Sequence, residues 1–264
     1  MNTAHYFLKA PLLKLPRAEF PFPFFEISEI KGHSIAFPSE KMLGKQAEFL
    51  FESWLNHSQR YQEIAKNIQI QGATETLGEL DYIVRDTETK QTLHIELACK
   101  FYLLDETLGK HTTQQWIGPN RKDTLVDKLT KMETKQFPLL HRRETVQTLE
   151  HFSINISNIQ QQYCIKAFVF VPKGYAVQNL PRHFQDCVVG HYISESEFKT
   201  EKDTSARYTL PQKREWLLPP ESLDNWMSFQ EAKTVISQSI SEKRSPLVYK
   251  KIGGTLERFF VVWW

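Results

Sequence analysis

Three carboxylates stand where the chain otherwise reads as strand. Residues 77–103, LGELDYIVRDTETKQTLHIELACKFYL, form two apolar, β-prone segments joined by the polar turn DTETKQ (86–91). Glu79, Asp81 and Glu96 lie inside those segments, where acidic residues are disfavoured. If the strands close symmetrically about the turn, Arg85 faces Thr92 and, four residues further out, Asp81 faces Glu96. Alternation then gives an apolar face of Leu80, Tyr82, Val84, Leu93, Ile95, Leu97 and Cys99. The opposite face carries Glu79, Asp81, Ile83, His94, Glu96, Ala98 and Lys100. Directly opposed side chains have Cβ atoms roughly 5 Å apart, and like charges there repel. Solvent, a shared proton or a cation must relieve that repulsion. Carboxylate oxygens converging from two strands suit Mg²⁺ or Mn²⁺, which takes one or two carboxylates together with water and phosphate oxygens. Such an ion lowers the pKa of bound water and stabilises charge on a phosphate in flight. An isolated Asp/Glu pair is more commonly a solvated sheet face bridged to Lys100 or Arg85. A third acid and a nearby lysine weigh toward a site.

The elements around this hairpin must hold it in register. The stretch 1–38, with PRAEFPFPFFEI, is rich in proline and aromatics and predicts an extended arm whose phenylalanines pack on the body. A helix is expected from an N-cap at Ser39, with Leu43, Ala47, Leu50, Phe51 and Trp54 as its apolar stripe. Gly44, Glu48 and Glu52 share another of its faces. NIQIQG reads as a short strand before the hairpin. A loop over 104–123 leads into a second helix from about Thr124 to Phe137, striped by Leu125, Leu129 and Met132 and disrupted or ended by Pro138. YCIKAFVFVP is the strongest buried strand. Short strands (VVGHYISE, ARYTL, LVYKKI, RFFVVWW) and one helix over 226–239 follow. The order helix, three strands, helix, strand implies a mixed α/β sheet with a right-handed parallel crossover. The expected division is arm 1–38, core 39–172 and an accessory α+β region 173–264 packed on the core.

On the second helix, Lys128, Lys131 and Lys135 recur at spacings of three and four, with Gln136 beside them. As phosphate contacts they would position a nucleic-acid backbone without reading its sequence; taken alone, such a stripe is more often a solvated helix face. Asn120 and Asp123 in GPNRKD read as helix-start chemistry, Cys99 as core, and His94 and His111 as metal ligands or, more commonly, hydrogen-bonded histidines. WLLPP and FFVVWW read as buried accessory segments; exposed, they would mark a protein-partner surface.

The whole chain excludes several classes. Of 264 residues, 41% are hydrophobic and 24% charged, a globular balance. The net charge of +2 gives no global signal for nucleic acid, so any basic patch is local. Three cysteines with no paired spacing point to a reducing compartment. The N-terminus lacks a signal-peptide core, and no apolar run approaches the ~18 residues of a membrane span. A cytoplasmic protein without membrane contact is expected. No P-loop, GxSxG or zinc motif occurs.

With these residues in view, the chain resembles the PD-(D/E)XK nuclease superfamily over residues 40–172. LGKQAEFLFESWL resembles the first helix of resolvase-like members, with Gly44 and Glu48 at the glycine and glutamate positions. GELDYIVRD resembles their GEIDLI strand, and HIELACK resembles their EVK strand. The resemblance implies a restriction-endonuclease-like α/β fold. It implies Asp81, Glu96 and Glu48 as metal-binding or catalytic acids, with the carbonyl of Leu97 as a further ligand. Its lysine falls two residues after the second acid; here that position is Ala98, and Lys100 follows. Lys100 lies roughly 13 Å along the strand from Glu96, instead of about 6.6 Å, so Lys128 and Lys131 stand as further candidates for the amine. A narrower resemblance, carried by GELD, ELACKFYL and GPNRKD in that order, is to a bacterial domain of unknown function numbered eighteen fifty-three. The expected activity is Mg²⁺- or Mn²⁺-dependent hydrolysis of phosphodiester bonds in DNA. The alternative is a catalytically inactive module of the same fold that binds nucleic acid or a protein.

Overall fold

A computed structural model describes residues 3–27, 37–150, 154–200 and 205–264. The chain begins with helix α1 (Thr3–Leu8), and an extended arm follows it. Proline-rich backbone cannot form a regular ladder, yet the arm covers the free edge of a strand. Leu13 N–H donates to Ile165 O, Ala167 N–H to Pro11 O, and Phe25 N–H to Tyr163 O. Phe20 and Phe25 are buried, and Phe22 stacks on Phe137. The expected packing of the arm holds for the described residues; 28–36 lie outside them.

Helix α2 (Leu43–His57) starts later than expected. Its N-cap is Met42, without a side-chain cap, and Ser39 belongs to the preceding turn. The predicted stripe is buried as read: Ala47, Leu50, Phe51 and Trp54 pack on the sheet. A Cβ added at Gly44 would meet nothing within 4 Å, so close packing does not account for that glycine.

Three antiparallel strands follow: β1 (Tyr61–Gln71), β2 (Thr76–Asp86) and β3 (Thr92–Leu104). The β2–β3 register is the expected one, with Arg85 opposite Thr92, but the ladder stops at the pair Tyr82–Ile95. Beyond it, β2 leaves β3 and stays with β1. Leu80 therefore joins a cluster with Ile68, Ile83 and Leu139, not the apolar face of Tyr82 and Val84 on which alternation placed it. The short β4 (Trp116–Ile117) pairs with the far end of β3, at Leu103 and Leu104. Between Ile95 and Leu103, no strand among the described residues pairs with that edge of β3.

Helix α3 (Leu125–Lys131) is capped by Thr124, whose hydroxyl accepts from Asp127 N–H. It continues through a π turn (Met132–Gln136) into α4 (Phe137–Leu139). The helical path therefore passes Pro138. Helix α5 (Arg143–Glu150) completes this layer, and β5 (Ile159–Pro172) runs parallel to β3. Helix α2 lies on one face of the sheet and α3–α5 border the other.

The remainder joins the same sheet edge to edge. After α6 (Arg182–Gln185), β6 (Val188–Ser194) pairs parallel with β5. Then come α7 (Glu195–Lys199), β7 (Arg207–Thr209), α8 (Phe229–Ser241), β8 (Leu247–Ile252) and β9 (Thr255–Val262). The main sheet order is β1-β2-β3-β5-β6-β9-β8-β7. Residues 173–264 thus extend the core sheet, and the connection 210–223 folds back over the α2 face, burying Trp216 and Leu217 there. This is a mixed α/β protein. Among the described residues, no helix is long and apolar enough to cross a membrane.

Candidate active site

The gap between β2 and β3 is built by the chain's own registration. Where the ladder ends, the carboxylate of Asp81 replaces the missing strand partner: its Oδ2 accepts Leu97 N–H at 2.8 Å. The N–H and C=O of one strand residue point to the same edge, so the Leu97 carbonyl also faces the gap. Asp81 is half-buried, and its pKa is pushed up to about 7, first by burial and then by the charge of Glu96; Leu97 N–H and Lys128 oppose the rise.

Glu96 is fully buried and accepts at both oxygens. His94 Nε2 lies 3.0 Å from Oε1, and the Gln136 amide nitrogen donates to Oε2. The partners of these groups fix their roles. Gln161 Nε2 donates both to Phe137 O, at 2.8 Å, and to His94 Nδ1, at 3.1 Å. His94 Nδ1 is therefore an acceptor, which places the ring proton on Nε2, facing Glu96. Lys128 Nζ can only donate and reaches Gln136 Oε1 at 2.9 Å, which turns the Gln136 amide nitrogen toward Glu96. His94 is thus a buried partner of Glu96, the blander of its two sequence readings.

The π turn explains why Gln136 reaches this network. In an uninterrupted helix, Lys128, Lys131 and Lys135 share one face. A π turn adds about one residue to the local repeat and so advances the face by one position. Gln136 then takes the place expected for Lys135. Lys128 and Lys131 line the cleft above the gap, whereas Lys135 does not and is exposed. The expected three-lysine stripe is therefore two lysines, and Gln136 is engaged inside the site instead of on a nucleic-acid surface.

Lys100 also departs from expectation. Its amine pairs with Asp123 at 2.8 Å and does not lean back over Ala98. The Lys128 amine acts electrostatically on both Asp81 and Glu96, and the Lys45 amine acts on Asp81 as well. Burial lowers the pKa of Lys128; the two acids oppose that shift, and Lys131 and Lys100 add to it. Asp123 is consequently a lysine partner and not a helix cap, and Asn120 accepts the Ser245 N–H, tying GPNRKD to the β8 side of the sheet. Glu48 lines the cleft, with its carboxylate held by Lys45 at 2.6 Å.

Among the described residues, no three His, Cys, Asp or Glu side chains group so as to hold a metal ion. What the site offers is a pair. Asp81 keeps one oxygen without a hydrogen-bond partner among the described residues, Glu96 keeps further lone pairs, and the Leu97 carbonyl faces the same gap. Two carboxylates suffice for a hard divalent cation that completes its shell with water and phosphate. The set fits one such ion, with Glu48 apart from it.

The cleft has a volume of about 750 Å³. The N-terminal turns of α2 and α3 bound it, Leu97–Phe101 form its floor, and the connection carrying Lys213, Arg214 and Trp216 closes another side. Gln46, fully buried in α2, donates to Arg214 O at 2.7 Å and fixes that wall to the core. The sequence alone gives no sign of this wall, because nothing local in PQKREW marks it as meeting Gln46, 168 positions earlier.

No curated protein and no solved structure matches the chain. One family model, described as Domain of unknown function (DUF1853), matches residues 28–262. That match spans most of the chain, which therefore belongs to the DUF1853 family.

Proposed function

We propose that the chain is a metal-dependent nuclease of PD-(D/E)XK type, built on a restriction-endonuclease-like core and hydrolysing phosphodiester bonds in DNA. The observation that carries this reading is the meeting of Asp81 and Glu96 at the β2–β3 gap, with the Lys128 amine linked to Glu96 through the Gln136 amide. A divalent cation held by Asp81, Glu96 and the Leu97 carbonyl would supply an acidified water and positive charge opposite the phosphate. Lys128 is the amine of the site. Its ammonium would donate to a non-bridging phosphate oxygen, and burial lowers its pKa, which eases release of its proton. Gln136 orients Lys128 and Glu96 together, and His94 with Gln161 holds Glu96 from beneath. Glu48 has no assigned step; it shapes the cleft wall.

A non-catalytic binding module is the competing reading, favoured by the pairing of Lys100 with Asp123 and, among the described residues, by the lack of a three-residue group able to hold a metal ion. Hydrolysis separates the two. Purified protein is incubated with labelled single-stranded and duplex DNA in Mg²⁺, in Mn²⁺ and in EDTA. Cleavage in Mg²⁺ or Mn²⁺ that EDTA stops and Asp81→Asn abolishes is the expected result. Binding without cleavage in either metal leaves the module reading.

A further inference from the structure

We infer that the cleft takes a single strand of nucleic acid, and that Lys213 and Arg214 form its second phosphate-binding wall, opposite Lys128 and Lys131. This names the substrate class of the site proposed above and rests on that reading for its position over Asp81.

Charge is the first argument. The cleft is lined by five cations, Lys100, Lys128, Lys131, Lys213 and Arg214, and by three carboxylates, Glu48, Asp123 and Asp127. Two of those carboxylates are already neutralised, Asp123 by Lys100 and Glu48 by Lys45 from the rim. Within the lining that leaves four cations against Asp127, with Asp81 and Glu96 outside it in the gap, in a protein whose net charge is only +2. A concave surface concentrates such a field, and its complement is a polyanion.

Rigidity is the second. Lys213 and Arg214 are exposed, and neither makes an ion pair among the described residues. Their backbone is held all the same. A capping box between Gln212 and Glu215 closes the turn, and the buried amide of Gln46 holds Arg214 O. Two cations without a carboxylate partner among the described residues, Lys213 with its amine over the Trp216 ring, are presented on a fixed turn without a large ordering cost on binding.

Shape decides between strand types. Glu96 has no exposure, and Asp81 lies half-buried at the base of the gap. Neither acid lines the cleft itself, which meets the gap at Leu97, the residue whose N–H Asp81 accepts; a phosphate reaching the pair from this side passes between walls enclosing about 750 Å³, a volume typical of pockets that swallow a small ligand. Duplex DNA is stiff over about 150 bp and cannot fold a phosphate into such a space without opening. A single strand can, and basic grooves that track its backbone are the usual means of binding it. The cleft's aromatic side chains, Phe101 and Trp216, are themselves buried, so base stacking adds little and the site reads phosphates, not sequence.

Binding is measured by fluorescence anisotropy in EDTA, so that hydrolysis plays no part, with a labelled oligothymidylate 15-mer and a 15-bp duplex. The single strand should bind at least tenfold more tightly. Lys213→Gln/Arg214→Gln should flatten the log–log salt dependence by about 1.4, at about 0.7 per phosphate contact on a single strand. Lys110→Ala/Lys251→Ala, outside the cleft, should leave it unchanged. Equal affinity for duplex, or an unaltered slope in the Lys213/Arg214 variant with its circular dichroism intact, overturns the proposal. Single-strand binding that depends on these residues, in a protein that cleaves nothing, upholds it and removes only the nuclease reading. Duplex cleavage indifferent to these residues does the reverse.

Discussion

The carboxylate of Asp81 takes the N–H of Leu97, the residue after Glu96, at 2.8 Å. A side chain thus satisfies a backbone donor at the point where a strand partner has departed, and the same bond brings the two acids together. The geometry has a measurable consequence in stability. The pKa of Asp81 is raised from 3.8 to about 7, so the folded state binds the proton more tightly than the unfolded chain. Its contribution to stability is greatest below pH 4 and is lost as pH rises toward 7. In Asp81→Asn the side-chain oxygen still accepts Leu97 N–H, and the like-charge repulsion is gone. Urea titrations at pH 5 and pH 8 should show a smaller fall in stability for the variant than for the parent. An identical fall in both would place the titration elsewhere.

The same variant should lose its divalent ion. Calorimetric titration with Mn²⁺ is expected to find one site in the parent and none in Asp81→Asn. Glu48→Gln should retain that site, since its carboxylate is held by Lys45. If Glu48→Gln also loses it, Glu48 is a ligand after all.

Two lysines compete for the catalytic role, and the geometry favours Lys128. Lys128→Met should reduce hydrolysis by about 10²–10⁴, the range of a lost acid–base or positioning group. Lys100→Met, which releases only the pair with Asp123, should stay within about threefold of the parent, well under a lost catalytic group. The opposite ranking would return the role to Lys100.

The π turn yields a test by deletion. Removing Lys135, which is exposed, should convert Met132–Gln136 into ordinary helix and bring Gln136, now eight residues after Lys128, to the seventh position after it, on the same face. Its stability should stay within about 1 kcal/mol of the parent, as for other surface changes. Gln136→Leu leaves Glu96 and Lys128 without their shared amide. It should cost about 1–3 kcal/mol for the unsatisfied buried groups, read as a lower denaturation midpoint at unchanged m-value.

Much of this was legible along the chain because it is local. Alternation and the DTETKQ turn predict the Arg85–Thr92 register, since a one-residue slip would bury charge and expose the apolar face. Helical spacing predicts the buried stripe of α2, and the strength of YCIKAFVFVP as a buried strand follows from its β-prone apolar run. The chain order of helix and strands likewise predicts the parallel β3–β5 pair. What the sequence could not determine depends on where strands part and on which distant groups arrive. The end of the ladder at Tyr82 moved Leu80 to the other cluster. One extra residue in a helical turn exchanged Lys135 for Gln136, a phase shift that composition does not announce. Lys100 could be assigned only once Asp123, brought back by a loop, stood closer to it than the acids of its own hairpin. The connection 210–223 became a wall of the cleft only through the buried amide of Gln46. Periodicity reports which face a side chain leaves from; tertiary structure decides which partner it meets, because that choice is made by charge and space supplied from elsewhere in the chain.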